Sequence, residues 1–400
     1  MSARRIVRLG RDGDGLAADG TAFPGALPGE TVERDGEKLR ILEPAAIRVK
    51  PPCRHAGSCG GCALQHADPG FLARWKRDLI VEALARRGIE TAVAETIAAP
   101  PRSRRRAAFT AMRTKKSALL GFRQRRSHLV VEIADCLLVS PAIQAALPAL
   151  RAIGALAASR KREVKLWVTT SESGLDVAVE DGKELDLVLR EAAAAWAEET
   201  DVARLSWNGE AFATRRPPIQ RFGGVAVAPP PGAFLQAAPE GEAALIEQVL
   251  EGVGGAKRVA DLFAGCGTFS LPLARGAEVH AVEDDTALTA ALEKGWRGGE
   301  GLRRVTVESR DLFRRPLLPE ELAGFDAAVF DPPRAGAEVQ TAELARTEIP
   351  AIVGVSCNPV SFARDAAVLV GAGWSLDRVT PVDQFLWSPH VELVGRFLRR

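Results

Sequence analysis

From residue 231 onward, short apolar runs of strand length alternate with stretches of helical periodicity, and few architectures accept that pattern. Strands are expected at 258–263, 278–283, 304–308, 327–331, 352–357 and 391–397, after a helix at 240–250. Near-continuous apolar strands separated by helices fold as a doubly wound, mostly parallel sheet covered on both faces. Ligands of such sheets sit in the crevice beyond the carboxyl ends of the strands. The residues that close each strand are therefore the first candidates for chemistry.

The rest of the chain has a different texture. Residues 1–50 read as short strands broken by turns such as Gly13-Asp14-Gly15 and Leu27-Pro28-Gly29-Glu30, a small β module with scant core of its own. Residues 51–230 read as α+β. A basic amphipathic helix is expected at 71–87, strands at 119–122, 128–133, 164–168 and 175–179, and an Ala-rich helix at 184–199. Pro229-Pro230-Pro231 punctuates the passage to the last segment, 231–400. No apolar run is long enough to span a bilayer, and the N-terminus has no secretory pattern. A cytoplasmic protein with no membrane partner is expected, and a monomer.

Asp261-Leu262-Phe263-Ala264-Gly265-Cys266-Gly267 follows the first strand and opens a helix. Glycines there let the backbone approach a ligand at a helix N-terminus. Glu283 closes the next strand, where a carboxylate can accept from ribose hydroxyls. A dinucleotide loop would carry a third glycine where this chain has Ser270, which favours S-adenosylmethionine. A tight structural turn is the competing reading. Asp331-Pro332-Pro333-Arg334 and Ser356-Cys357-Asn358-Pro359 close two later strands. Two prolines withhold backbone donors and leave the Asp331 side chain free for a ligand, unless the motif is only a strand terminator. Cys357 faces the same crevice. Glu392, in His390-Val391-Glu392, reaches that end too if the last strand runs antiparallel at the sheet edge.

Cys53, Cys59, Cys62 and Cys136 remain once Cys266 and Cys357 are set aside. A reduced chain rarely clusters structural cysteines so closely, and four thiolates suit zinc or an iron–sulfur cluster. Spacing alone does not separate the two. Charge is also uneven. From Arg102 to Arg126 there are ten basic residues and no acidic one: Arg102, Arg104, Arg105, Arg106, Arg113, Lys115, Lys116, Arg123, Arg125 and Arg126. The whole chain carries 53 basic and 51 acidic residues, so the remainder is mildly acidic. Such a block suits a polyanion, with RNA contacts expected from Arg102, Arg104, Arg105, Arg106, Arg123, Arg125 and Arg126. A solvated basic face is the alternative.

Asp-Leu-Phe-x-Gly-x-Gly at 261–267, Asp-Pro-Pro-Arg at 331–334, Ser-Cys-Asn-Pro at 356–359 and His-Val-Glu at 390–392 occur in order. In this, nearly the whole chain resembles the RNA uridine C5-methyltransferase family. The resemblance implies a Rossmann-like methyltransferase domain at 231–400 and methyl transfer from S-adenosylmethionine to uridine C5 in RNA. It implies Cys357 as nucleophile and Glu392 as base. Uracil C5 is a poor nucleophile until a thiolate adds at C6, and a base must then remove the C5 proton. A glutamate near its ordinary pKa would already be ionised, and Arg334 is the candidate for easing ionisation of Cys357.

By the same resemblance Gln236, Phe263, Gly265, Gly267, Glu283, Asp311 and Asp331 form the donor site. Cys-Gly-Gly-Cys at 59–62 resembles the ribosomal RNA branch, which implies a [4Fe–4S] cluster, with zinc the alternative. The opening module resembles a shortened TRAM domain. Ribosomal RNA is the favoured substrate. A transfer RNA T-loop enzyme and a non-catalytic RNA-binding or chaperone protein are the alternatives. Two positions depart from the family pattern. Ala238 stands where the family often has Asn, and Leu386-Trp387-Ser388-Pro389 precedes His390 where Phe-Pro and Thr are commoner.

Overall fold

The computed structural model describes residues 3–36, 38–115 and 117–399, so Lys116 of the basic block lies outside the described residues. The alternating C-terminal pattern folds as expected. Strands Val305–Ser309, Glu278–Glu283, Arg258–Leu262, Ala327–Phe330 and Ala351–Ser356 lie side by side in that order, all parallel. Successive residues of these strands serve opposite faces. Ala328, Phe330 and Ile352 enter one core, and Ala327, Val329, Val353 and Val355 the other. Both faces are covered, which is why these strands read as unbroken apolar runs.

Strand order reverses between Arg258–Leu262 and Ala327–Phe330, where open α/β sheets place their crevice. The Glu392–Arg399 strand is antiparallel, as expected, but it is not at the edge. It lies between Ala351–Ser356 and Trp374–Asp383, a strand the sequence pattern does not reveal. Ser356 pairs with Leu393 and Val382 with Glu392, so the start of this strand meets the end of its neighbour.

Beyond Trp374–Asp383 the sheet continues into Ala92–Val93 and Ile97–Ala98, from a much earlier part of the chain. Helix Pro69–Ala85, capped by Asp68 accepting from the Phe71 N–H, packs against this side. Its Lys76 is fully buried. The ammonium pairs with Asp383 at 2.5 Å and donates to the Phe385 carbonyl at 3.1 Å. The chain just after Asp383 is therefore fixed from the N-terminal side.

The middle of the chain forms a seven-stranded sheet backed by helices Pro141–Ala157 and Leu187–Glu199. The basic block belongs to it. Arg106–Arg113 is an inner strand, with Ala107, Phe109 and Ala111 buried in the core. An exposed face ahead of the strands is what the sequence suggests here. The dense charge hides a strand whose alternate residues are apolar. Arg4–Leu9, Asp14–Ala17, Ala22–Pro24, Thr31–Asp35 and Lys38–Glu43 form a five-stranded antiparallel sheet around Ile6, Phe23 and Val32. Leu9 and Leu27 leave that small core and pack into the middle one. Among the described residues no helix is long and apolar enough to cross a membrane.

Candidate active site

At the reversal of strand order lies a cavity of about 630 Å³. Its walls include Gln236, Phe263, Gly265, Glu283, Asp311, Asp331, Arg334, Cys357 and Glu392. Residues 156 positions apart, Gln236 and Glu392, are thus brought to one pocket. Gly267 is not on the wall. Its φ is +101°, and a Cβ there would lie 3.0 Å from Leu271 and Leu292. Glycine at 267 serves a tight turn and close packing. Ser270 is structural as well. Its hydroxyl donates to the buried Asp261 carboxylate and ties the loop to the strand before it.

Glu283 is held by two backbone donors, the Gly265 N–H and the Asp285 N–H, each at 3.0 Å. Phe263 adopts φ +62°, unusual for a non-glycine residue, and its ring lies 5.5 Å from that of Phe313. The Asp311 carboxylate accepts from the Phe313 N–H at 2.9 Å, shaping the loop that carries this ring. The Asn358 side chain caps the helix after Cys357 by accepting from the Val360 N–H, and it donates to the Arg334 carbonyl. The two motifs at 331–334 and 356–359 are thereby linked.

The electrostatics differ from those of the isolated residues. Burial pushes Asp331 up to about 7. Burial and the Asp331 charge push Glu392 up to about 8. The sequence leads one to expect an already ionised Glu392, and burial at 3% exposure works against that. Burial and the charges of Glu392 and Asp331 push the Cys357 thiol up to about 11. Arg334 acts in the expected direction, lowering it, but is outweighed. Two carboxyls on the walls of this pocket are thus held up by burial.

Gln384 is a site residue that the sequence does not announce. It is 4% exposed, and its Oε1 accepts from the Ala237 N–H at 2.7 Å and the Ala238 N–H at 3.3 Å. Its Nε2 donates to Gln236 Oε1 at 2.6 Å and Glu392 Oε1 at 3.4 Å. Gln236 Nε2 then donates to Asp331 at 3.3 Å. No motif marks Gln384; only its position beside a buried strand could have drawn attention to it.

A second cavity, of about 300 Å³, is walled by Cys53, Cys59, Cys62 and Cys136 together with His55, Arg104, Arg106, Trp167, Phe234 and Phe385. Burial raises the Cys59 thiol and pushes Cys62 up to about 12. Among the described residues, no group of three or more His, Cys, Asp or Glu side chains is placed to hold a single metal ion. Phe234 lines both cavities and stands between them.

The basic block is mostly engaged within the protein. Arg105 is buried, pairs with Glu242, and donates to the Gln236 carbonyl at 3.0 Å. Arg102 faces Asp135, Arg123 pairs with Glu163, and Arg125 and Arg126 grip Asp14. Arg105 is thereby withdrawn from the expected RNA contacts, while Arg102, Arg123 and Arg126 stay exposed beside their acidic partners. Arg104 and Arg106 remain beside aromatic rings, Phe385 for the first and Trp167 for the second. Substituting Arg105 by Ala strands a buried carboxylate and is expected to cost about 3–5 kcal/mol of stability. Thermal unfolding measures this. An unchanged midpoint with weakened RNA binding would restore the phosphate-contact reading.

Comparison with known proteins gives this pocket its context. The tRNA (uracil-5-)-methyltransferase family model matches residues 300–400. An uncharacterized RNA methyltransferase of Rhizobium meliloti is 48% identical, covering 98% of this chain and 97% of that protein. The 23S rRNA (uracil(1939)-C(5))-methyltransferase RlmD of Halomonas elongata is 34% identical, covering 97% of this chain and 87% of its own. The chain belongs to the RNA uracil-C5 methyltransferase family. Members of this family transfer a methyl group from S-adenosylmethionine to uracil C5. The crystal structure of a Pyrococcus abyssi tRNA (uracil-54, C5)-methyltransferase with S-adenosyl-L-homocysteine matches over 99% of both chains, with TM-score 0.78 and 23% identity. The methyltransferase fold is thus shared along the whole length.

Proposed function

We propose that this uracil-C5 methyltransferase modifies a uridine in large-subunit ribosomal RNA, through a covalent bond between Cys357 and uracil C6. The observation that carries the reading is the shared pocket. Cys357, Glu392 and Asp331 line one cavity with Gly265 and Glu283. The target base must leave its stack to reach this depth. Phe234, 64% exposed, stands at the edge of this cavity with Arg106 over its ring.

The Cys357 thiolate adds to C6 and leaves an enolate whose C5 attacks the methyl carbon of the sulfonium. The carbon–sulfur bond of the donor breaks, giving S-adenosylhomocysteine. Glu392 then takes the proton from C5, the C5–C6 double bond reforms, and the thiolate leaves. Glu283 suits the ribose hydroxyls of the donor. The Asp331 carboxylate suits its positive charge.

Ribosomal RNA is favoured by the likeness to RlmD and by the four cysteines. Release of tritium from 5-tritiated uridine in 23S rRNA and in transfer RNA transcripts tests the substrate. Release from the ribosomal transcript is expected. Release from transfer RNA alone would overturn the ribosomal assignment, and release from neither would overturn the reaction.

Cys53, Cys59, Cys62 and Cys136 are proposed to hold a [4Fe–4S] cluster. Four thiols wall one cavity, and four cysteines are the donor set such a cluster takes. When bound, the cluster would supply a cross-link, holding the loop of Cys53 to that of Cys136 and stiffening the 102–126 segment between them. Anaerobically purified protein is expected to contain about four irons and four sulfides per chain. Cys62→Ser should lose nearly all of both. Stoichiometric zinc in the wild type would overturn the assignment.

A further inference from the structure

We infer that Gln384 is a positioning residue that fixes the proton affinity and orientation of Glu392, the base in the reaction proposed above, by presenting it with a hydrogen-bond donor locked in one direction. The inference rests on that assignment of Glu392. A side-chain amide can present either its oxygen or its nitrogen, and the difference decides what a neighbouring carboxylate feels. At Gln384 the choice is made by backbone. The Ala237 and Ala238 N–H groups both point at one terminal atom, and an N–H can only donate, so that atom is the oxygen. The nitrogen must then face the other way. Its two hydrogens meet Gln236 Oε1 at 2.6 Å and Glu392 Oε1 at 3.4 Å.

The orientation propagates. With Gln236 Oε1 accepting, Gln236 Nε2 is left to donate to Asp331 at 3.3 Å. Glu392 and Asp331 thus each receive a donor from one chain of amides anchored in backbone. Ala238 is the N-cap of helix Pro239–Val253 and has no side chain to cap it. Gln384 reaches this helix start from across the pocket by accepting from the Ala238 N–H. It is also tightly seated: a Cβ on Gly241 would come within 2.7 Å of the Gln384 Cβ.

The charged surroundings of Glu392 oppose its ionisation. Asp331 follows the Ala327–Phe330 strand, one strand further away, and Cys357 follows the adjacent strand Ala351–Ser356. Asp383 lies one residue past Val382, the cross-strand partner of Glu392, and is neutralised by Lys76. Arg334 lines the same cavity, and His390 precedes Glu392 by two residues. Gln384 is the neutral donor that favours the charged form, and it lowers the proton affinity that burial raises.

The discriminating experiment is the pH dependence of single-turnover tritium release from a 5-tritiated 23S rRNA transcript by the full-length protein, with Q384M and Q384E. In Q384E the new carboxylate keeps an acceptor for the two backbone N–H groups but has no donor for Glu392. Methionine loses both. Each variant is expected to move the acidic limb of the rate profile up by about one pH unit, a tenfold loss below the limb, with recovery at higher pH. A Q384E profile with the wild-type limb would overturn the inference, because holding the loop would then be all that Gln384 does. So would loss of activity at every pH. E392Q separates this from the reading beneath it. Wild-type turnover by E392Q would remove Glu392 as the base, whereas a stalled E392Q beside an unshifted Q384E removes only the role of Gln384.

Discussion

Replacement of Cys357 by serine is expected to lower methyl transfer by at least about 10⁴-fold, the scale on which removal of a covalent nucleophile acts. The fold should be indifferent to the change. Cys357 is only half-buried, follows the last residue of the Ala351–Ser356 strand, and belongs to none of the packed cores. Its neighbour Asn358, not the thiol, caps the next helix. Serine offers an oxygen of far higher pKa in the same place, so addition to C6 stops while RNA and donor still bind. A normal unfolding midpoint with lost transfer is the expected pair of results. Activity within about tenfold of wild type would remove Cys357 from the reaction.

The thiol also predicts how the wild type responds to pH. Burial and two carboxylates hold Cys357 up at about 11 and disfavour the thiolate. A sulfonium entering beside Asp331 and Glu392 offsets those negative charges and eases ionisation. On the proposed mechanism, donor binding and the readiness of the nucleophile would be coupled through the pocket charge.

Replacement of Glu392 by glutamine is expected to stall the enzyme one step later. Methyl transfer to C5 should still occur once, and the methylated base should then stay bonded to Cys357. Turnover should fall by about 10²–10⁴-fold, the usual worth of a positioned base. Denaturing gels distinguish this from a binding defect, since a stalled complex migrates as protein joined to RNA. Loss of turnover without any adduct would mean that Glu392 acts earlier than proposed. The high proton affinity of Glu392 fits the timing. On the proposed mechanism, the positive charge of the donor would hold the carboxylate ionised. Transfer of the methyl group leaves a neutral thioether, and the pull of burial and Asp331 toward a protonated Glu392 returns as the C5 proton must be taken.

Much of this site can be read from the sequence because it sits at strand ends. Asp261, Glu283, Asp331 and Cys357 each close or follow a buried apolar run, and such runs are visible in one dimension. What the sequence conceals depends on partners far along the chain. Arg105 looks like a phosphate contact because nothing near it is acidic, yet its partner Glu242 is 137 residues away. Gln384 looks like an ordinary polar residue because the backbone N–H groups that orient it belong to Ala237 and Ala238. The shifts at Glu392 and Cys357 arise from burial, which composition does not reveal. Trp374–Asp383 is easily overlooked because its middle is interrupted by Asp377 and Arg378, whose charges meet Arg396 and Glu251 at the surface.

The most direct measurement of the central claim uses RNA carrying 5-fluorouridine at the target position, incubated with the wild-type protein and S-adenosylmethionine. Fluorine at C5 cannot leave as a proton does, so the methylated adduct should persist. Mass spectrometry of the digested complex is expected to place one methylated nucleotide on the peptide containing Cys357, with none formed by the serine variant. An adduct on another residue, or methylation of unmodified RNA with no adduct from the fluorinated one, would contradict the account.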